Sequence, residues 1–575
     1  MNWKHYSILF LTFCLASCAN RGIGPQGGPK DSTPPQPVKS VPENGAVNFQ
    51  GKRIEVLFNE NLQLSDIGAN MMMSPPQQNP PDVKARGKKL IVQFQDSLRD
   101  STTYTIDFGR AVCDYTEKNP LPGYAFSFST GPTIDTLEVF GCVYDAETLN
   151  PLKGISVGIY ANLGDSAFTS EPFLRIAKTD SVGQYRIGNI RPGQYRLYAV
   201  EDVSRDYRLT LGEAMAYAEE IVDIEADTLP HFMPPLFLFK EHLPRLYLQR
   251  TLRDKQHAIT ILFSSSPDSL PELRPLSDSL NYHITYSPHA DTVTIWLTDS
   301  MSIKQDSLFI EARYRRTDSL SQLEWCTDTL RAIWRAPRMT DKQRAALLRK
   351  NKKRQLELKC NARQGFEVFD TLHITCSTPL ASIDTAAIHV VEFTGPVTKP
   401  VPFSLFPTDT LPMTIGINVD WKPGVKYEVR LDSAALKDVY GVTHKPATYM
   451  LEIKNIEDYS TLRVILKPYP EHARLQLLSN RDKVLRELPA SPEGTLFEYL
   501  KPDTYYLRLY IDADEDGQWT TGSWSEKRQP EQVYYFTTSI STKANWDFEE
   551  EWDYTATSQT QAKPVVLINA TPKKK

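Results

Sequence analysis

Short runs in which every second residue is apolar recur along most of the chain. Ile54, Val56 and Phe58, then Leu90, Val92 and Phe94, then Tyr104, Ile106 and Phe108, then Tyr124, Phe126 and Phe128 set large apolar side chains on one side of an extended backbone. A period of two is that of a β-strand with one face buried. Strand-like runs return at Ala258–Phe263 and Thr292–Leu297. Only Thr340 to Lys359 reads as a helix, following Pro337 and opening on a capping box of Thr340 and Gln343. Its cationic residues, among them Lys342, Arg344, Arg349 and Lys350, make it a basic connector over 338–359. A solvated linker is the plain reading, and contact with anionic lipid headgroups the alternative. At 575 residues the chain exceeds one hydrophobic core several times over. Its 41 prolines, 27 tyrosines and 24 phenylalanines favour strands and turns. The predicted class is all-β, a multidomain string of β-sandwiches with one connector helix.

The N-terminus has a different pattern. Lys4 and His5 precede an apolar run from Tyr6 to Ala16 that ends in Leu15-Ala16-Ser17-Cys18. The run is short for a membrane-spanning helix and suits the core of a cleaved signal peptide. The ending resembles a bacterial lipobox. That resemblance implies a signal peptide over 1–17, removal of it, and acylation (palmitate among the chains) of Cys18, giving a membrane partner through a lipid anchor. Residues 18–36 hold Gly22, Gly24, Pro25, Gly27, Gly28, Pro29, Pro34 and Pro35, a composition that packs no core and reads as a tether. Removing Cys14 and Cys18 leaves Cys113, Cys142, Cys326, Cys360 and Cys376, an odd number without metal-ligand spacing. Cys360 with Cys376 is the one pair close in sequence. A net charge of −5 over this length gives no reason to expect a nucleic-acid partner.

Residues 37–132 resemble the bacterial Ig-like domain family first recognised in surface-layer proteins. The resemblance rests on Pro42-Glu43-Asn44-Gly45, Leu57-Phe58-Asn59-Glu60, and Tyr104-Thr105-Ile106 with Phe126-Ser127-Phe128-Ser129-Thr130. Residues 137–240 change style, with Gly141-Cys142-Val143-Tyr144-Asp145, Gly183-Gln184-Tyr185 and Pro192-Gly193-Gln194-Tyr195. They resemble the transthyretin-like modules of carboxypeptidase regulatory domains, which implies a noncatalytic sandwich. Both patterns recur in the same order. Tyr427-Glu428-Val429-Arg430-Leu431 with Tyr449-Met450-Leu451-Glu452-Ile453 marks a second Ig-like domain over 360–455. Leu500-Lys501-Pro502-Asp503-Thr504-Tyr505 marks a second transthyretin-like unit over 460–554, with Asp512 seven residues after its tyrosine, as Asp202 is after Tyr195. Residues 243–336 read as a sandwich of uncertain family and 555–575 as a disordered tail. The set resembles envelope lipoproteins of the Bacteroidetes type.

Candidate chemistry is sparse. Asp512-Ala513-Asp514-Glu515-Asp516-Gly517 spaces Asp512, Asp514 and Asp516 as a calcium loop begins, alternate carboxylates converging on a hard cation with glycine at the turn. The twelfth position is Ser523 rather than glutamate, and an acidic solvated turn accounts for the same residues. A calcium ion there would be structural, and no other cofactor is expected. Trp519 and Trp524 are candidates for stacking on sugar rings, although aromatics at strand spacing are more often core. Gly164-Asp165-Ser166 lacks the surroundings of an esterase nucleophile, and no HExxH or phosphate-binding glycine loop occurs. The expectation is a protein that is not an enzyme, a binding or scaffold module of the cell envelope. It would sit on the outer membrane, periplasmic face preferred, with envelope proteins or glycans as partners. A glycan-binding or glycan-processing component is the alternative.

Overall fold

In the computed structural model, which describes residues 31–570 apart from 226–230, 243–244, 277–279, 319–321, 336–339, 342–353, 395–396 and 408–411, the alternating runs are strands. Their apolar faces close five separate cores. The chain divides into two units, one up to Lys240 and one from Glu241.

In the first unit, a sheet ordered Pro37–Val41, Arg53–Phe58, Lys89–Gln93, Asp82–Arg86 packs on one ordered Met72–Ser74, Thr103–Asp107, Ala125–Ser129. Ile54, Val56, Phe58, Leu90, Val92, Tyr104, Ile106, Phe126 and Phe128 fill the space between them. Tyr124 is half-buried and stacks on Phe108. The Tyr104 hydroxyl accepts the Arg99 N–H at 2.7 Å, tying the corner that leads into its strand. The second sandwich is built on Leu137–Asp145, which pairs antiparallel with Gln184–Ile190 and parallel with His231–Phe232 and Leu236–Leu238. The facing sheet runs Arg175–Lys178, Ser156–Tyr160, Gly193–Val200, Met215–Tyr217. Arg175, 5% exposed, joins the two sandwiches. Its guanidinium donates to the Thr103 carbonyl and lies 3.5 Å from the Asp135 carboxylate, which Arg191 also meets at 2.9 Å.

The second unit opens on a sheet ordered Leu248–Lys255, Ala258–Phe263, Thr292–Leu297, Tyr282–Tyr286. It packs on Glu272–Pro275, Ser307–Thr317 and Leu323–Ile333, the last two paired over eleven residues. A sandwich with the strand order of the first follows. Leu358–Cys360, Leu372–Cys376, Thr414–Asn418 and Ser404–Pro407 form one sheet, and Gln364–Phe366, Ala447–Ile453, Lys426–Leu431 and Ile388–Thr394 the core of the other. Tyr427 accepts the Lys422 N–H at 2.9 Å, five residues upstream as Arg99 is of Tyr104. The last sandwich repeats the second. Ser460–Leu466 pairs antiparallel with Thr495–Leu500 and parallel with Asp547–Trp552, facing Val484–Pro489, Ala473–Leu478, Thr504–Ile511 and Val533–Tyr535. Tyr505 donates to the Lys501 carbonyl at 2.8 Å, as Tyr195 does to that of Arg191 at 2.9 Å. The internal duplication is thus one of strand order and of the tyrosine hydrogen bonds.

Two expectations are corrected. The connector helix does not reach Lys359: Arg354–Glu357 have no regular structure and Leu358–Cys360 pair with Leu372–Cys376, because a sheet partner outweighs local helix propensity. Residues 342–353 of that segment lie outside the described residues. Cys360 and Cys376 are free thiols, each opposite another residue of the neighbouring strand (Cys360 on Ile374, Cys376 on Leu358). The tail is not structureless through 570, since Gln559–Ala562 and Val565–Ala570 are short helices. Lys563 anchors them: its buried ammonium is 2.7 Å from the buried Asp482 carboxylate, which also accepts from the Tyr535 hydroxyl at 3.1 Å.

A second buried carboxylate, Glu367, bridges the last two sandwiches. Lys454 and Lys501 meet its Oε1 at 3.0 and 2.7 Å, and Tyr459 donates to its Oε2. Burial by itself would raise its pKa, but the hydrogen bonds from Lys501, Tyr459 and Lys454 outweigh it and hold the group at about 2, below the usual 4.5.

Two outcomes are expected. Lys563→Met leaves Asp482 buried without its cation and costs about 3 kcal/mol in urea denaturation of the full chain, most of it recovered in the Asp482→Asn, Lys563→Met double variant. Because the folded pKa of Glu367 lies below the unfolded one, its contribution, roughly 2–3 kcal/mol, is whole above pH 4.5 and fades as pH falls toward 2. Glu367→Gln therefore flattens the acid limb of the stability profile; an unchanged limb excludes this role.

Candidate functional site

The strand Thr504–Ile511 ends in the acidic loop, and the loop folds on its own carboxylates. Asp512 is 5% exposed, and its Oδ2 accepts the Gly517 N–H at 3.0 Å. Glu515 and Gly517 take left-handed backbone conformations with φ of 60° and 78°, which glycine adopts without strain. Asp516 Oδ1 accepts the Gln518 N–H at 2.6 Å, and Asp514 Oδ1 that of Asp516 at 3.3 Å. The remaining oxygen of Asp512, Oδ1, is buried and has no hydrogen-bond partner.

A further carboxylate enters from the far end of the excursion. Glu531, 7% exposed and two residues before Val533–Tyr535, accepts the Ala513 N–H at 2.6 Å through Oε1 and the Thr520 N–H at 2.9 Å through Oε2. The Trp519 indole donates to its backbone carbonyl at 3.0 Å. One carboxylate oxygen from each of Asp512, Asp514 and Glu531 lies within 4.8 Å of the others. Burial raises the Glu531 pKa most; the Asp514 and Asp512 charges add to this, while the two N–H groups oppose it. Asp516 stands outside the cluster, and Ser523 donates to Glu241 at 2.9 Å. The acidic group is thus Asp512, Asp514 and Glu531, not the expected Asp512, Asp514 and Asp516. No regular spacing marks Glu531, because the chain returns to the loop only after Trp524.

The corresponding loop of the first unit has the same frame. Asp202 Oδ2 accepts the Tyr207 N–H at 3.2 Å, and Glu213 accepts from Val203 and Ser204 through Oε1 and from Thr210 through Oε2. There the Ser204 hydroxyl donates to Asp202 Oδ1 at 3.2 Å, and the Arg208 guanidinium lies 3.0 Å from Asp206.

Beside the second loop a cleft of about 440 Å³ is bordered by Tyr469, His472, Arg474, Asp512 and Glu515. No serine, threonine, cysteine or lysine lines it. The two candidate stacking residues are both partly covered. Trp519 is held by its indole, and the Trp524 ring lies under the Lys527 ammonium, 2.9 Å from the ring centroid. Tyr505, Tyr506, Tyr535 and Trp552 are core. Trp546 instead is 57% exposed, beside Phe548 and Lys543. Cys18 lies outside the described residues. Among those residues, no helix is long and apolar enough to cross a membrane.

Residues 31–130 match the bacterial Ig-like domain family. The first sandwich is a bacterial Ig-like domain. No curated protein matches the chain. Solved structures resemble it only distantly. Domains 1-6 of surface layer protein SbsC are 10% identical, over 89% of this chain and 67% of that one, with a TM-score of 0.14. An L,D-transpeptidase from Mycobacterium smegmatis is 14% identical over 32% of this chain and 77% of its own, with a TM-score of 0.13. BcpA, the major pilin subunit of Bacillus cereus, is 8% identical over 73% and 99%, also at 0.13. Likenesses this slight carry nothing about activity or partners. After the Ig-like domain, the chain is a multidomain all-β protein.

Proposed function

We propose that this protein is a noncatalytic, lipid-anchored envelope protein of a Bacteroidetes-type bacterium, a scaffold that holds a recognition surface off the membrane on Ig-like and transthyretin-like sandwiches. The observation that carries the reading is how successive sandwiches are joined. Arg175 with Asp135 in the first unit and Glu367 with Lys454, Lys501 and Tyr459 in the second are buried polar ties between neighbouring sandwiches. Breaking such a tie leaves an uncompensated charge, so each pair behaves as a stiff element and not as two freely hinged beads. A stiff spacer suits presentation at a distance. Cys18, behind a short apolar run and before a glycine- and proline-rich stretch, supplies the attachment point. Ala19 after it lacks the aspartate that retains some lipoproteins at the inner membrane, and Asn20, Arg21 and Gly22 stand where surface-exported relatives carry acids. We therefore assign the periplasmic face of the outer membrane.

The alternative, a glycan-binding component, is favoured by one observation, the exposed Trp546 beside Phe548. Its exposed indole suits a sugar ring better than Trp519 or Trp524, which are both partly buried.

Cys18→Ser is expected to abolish labelling by a clickable palmitate analogue and to release the protein into the soluble fraction. A C-terminal epitope on the parent protein is expected to resist protease added to intact cells and to be digested only after lysis. Digestion without lysis would place the domains outside and overturn the assignment. Retention of the full chain on polysaccharide gels, lost in Trp546→Ala, would favour the glycan reading over the scaffold.

A further inference from the structure

The two copies of the acidic loop differ where it matters for a cation. Their backbones are held alike: one aspartate caps the turn through Oδ2, and one glutamate gathers the N–H groups of both limbs. In the first copy, protein donors satisfy the remaining acceptors, the Ser204 hydroxyl and the Asp206 N–H on Asp202 Oδ1 and the Arg208 guanidinium on Asp206. In the second copy the serine is replaced by Asp514 and the arginine by Gln518. One donor has become an acceptor and one cation has gone. The Asp516 N–H, whose counterpart in the first copy also reaches Asp202 Oδ1, turns here to Asp514, and Asp512 Oδ1 is left buried without a partner, in a residue 95% removed from solvent, next to two further carboxylates. Arg474, the cation beside this loop, is committed to Glu487 at 2.6 Å, and His472 reaches only the outer Glu515.

We propose that Asp512, Asp514 and Glu531 bind one calcium ion, which takes the place that the Ser204 hydroxyl and the Asp206 N–H fill on Asp202 Oδ1 in the first copy. Hard oxygen donors without nitrogen or sulfur select a hard cation. Calcium accepts irregular sets of six to eight oxygens and keeps water on an open side. Asp514 is exposed, so such a side exists here. Magnesium demands a near-ideal octahedron and gives up water reluctantly. With ligands at both ends of residues 512–531, the ion would clamp the excursion that carries Trp519 and Trp524. This inference is independent of the scaffold reading.

The test is calcium titration of the chelator-stripped full chain by isothermal calorimetry, with tryptic cleavage after Lys527 or Arg528 as a second readout. About one calcium per chain is expected, with a Kd of about 10⁻⁵ to 10⁻³ M, and severalfold slower cleavage. The informative variant is Asp514→Ser with Gln518→Arg, which transplants the first copy's donors and is expected to fold. It should lose at least tenfold in affinity and the calcium-dependent protection. No heat and no protection up to about 10 mM calcium, beyond the weakest extracellular calcium modules, would overturn the proposal. So would uptake unchanged in the variant, or magnesium binding as tightly as calcium.

Discussion

Each large sheet in this chain turns an apolar face toward its partner, so none is stable until a second sheet covers it. That constraint organises everything else. It forces a separate two-layer core every hundred residues or so. It also makes the corners, where a strand crosses from one sheet to the other, the places most in need of fastening. Tyr104 and Tyr427 fasten them with a hydroxyl on a backbone N–H five residues upstream. Tyr195 and Tyr505 do so with a hydroxyl on a carbonyl four residues upstream. A tyrosine fills the core with its ring and satisfies a corner with its tip, a combination phenylalanine does not offer.

Cores closed in this way leave polar work to the seams. Arg175, Glu367, and Lys563 with Asp482 are all buried charges, and each sits where separate pieces of chain meet. Buried pairs add little net stability compared with apolar packing but are intolerant of a missing partner. They therefore specify how pieces dock. The acidic loops are the open counterpart: one copy closes its electrostatics with its own side chains, and the other stops one donor short.

Much of the fold was legible in sequence because period-two burial is local. Ile54 through Phe128 supplied the core positions of the Ig-like domain, and Ala258–Phe263 and Thr292–Leu297 are strands with those bounds. The duplication was legible through Tyr104, Tyr195, Tyr427 and Tyr505 because these residues carry both packing and a hydrogen bond. What escaped depends on distant partners. Leu358–Cys360 is drawn into a sheet by Leu372–Cys376, and Lys563 finds Asp482 across 81 residues. Glu531 joins Asp512 and Asp514 only because the following strand returns beside theirs. Which face of Trp519 or Trp524 is covered is likewise set by residues no periodicity names, a carbonyl in one case and Lys527 in the other.

Three of the sandwiches share one further geometric trait, an early strand that runs parallel to the last. Ser460–Leu466 is matched rung for rung with Asp547–Trp552, while Leu137–Asp145 pairs over shorter stretches with His231–Phe232 and Leu236–Leu238, and Gln364–Phe366 with the end of Ala447–Ile453. The chain thus enters each of these modules at one end and leaves at the other. Tension applied through the termini pulls the two strands past one another and loads the bridging hydrogen bonds together, in shear. In a hairpin, whose ends emerge side by side, the same tension would peel them apart one at a time. Each such module resists stretching by geometry, whatever it holds.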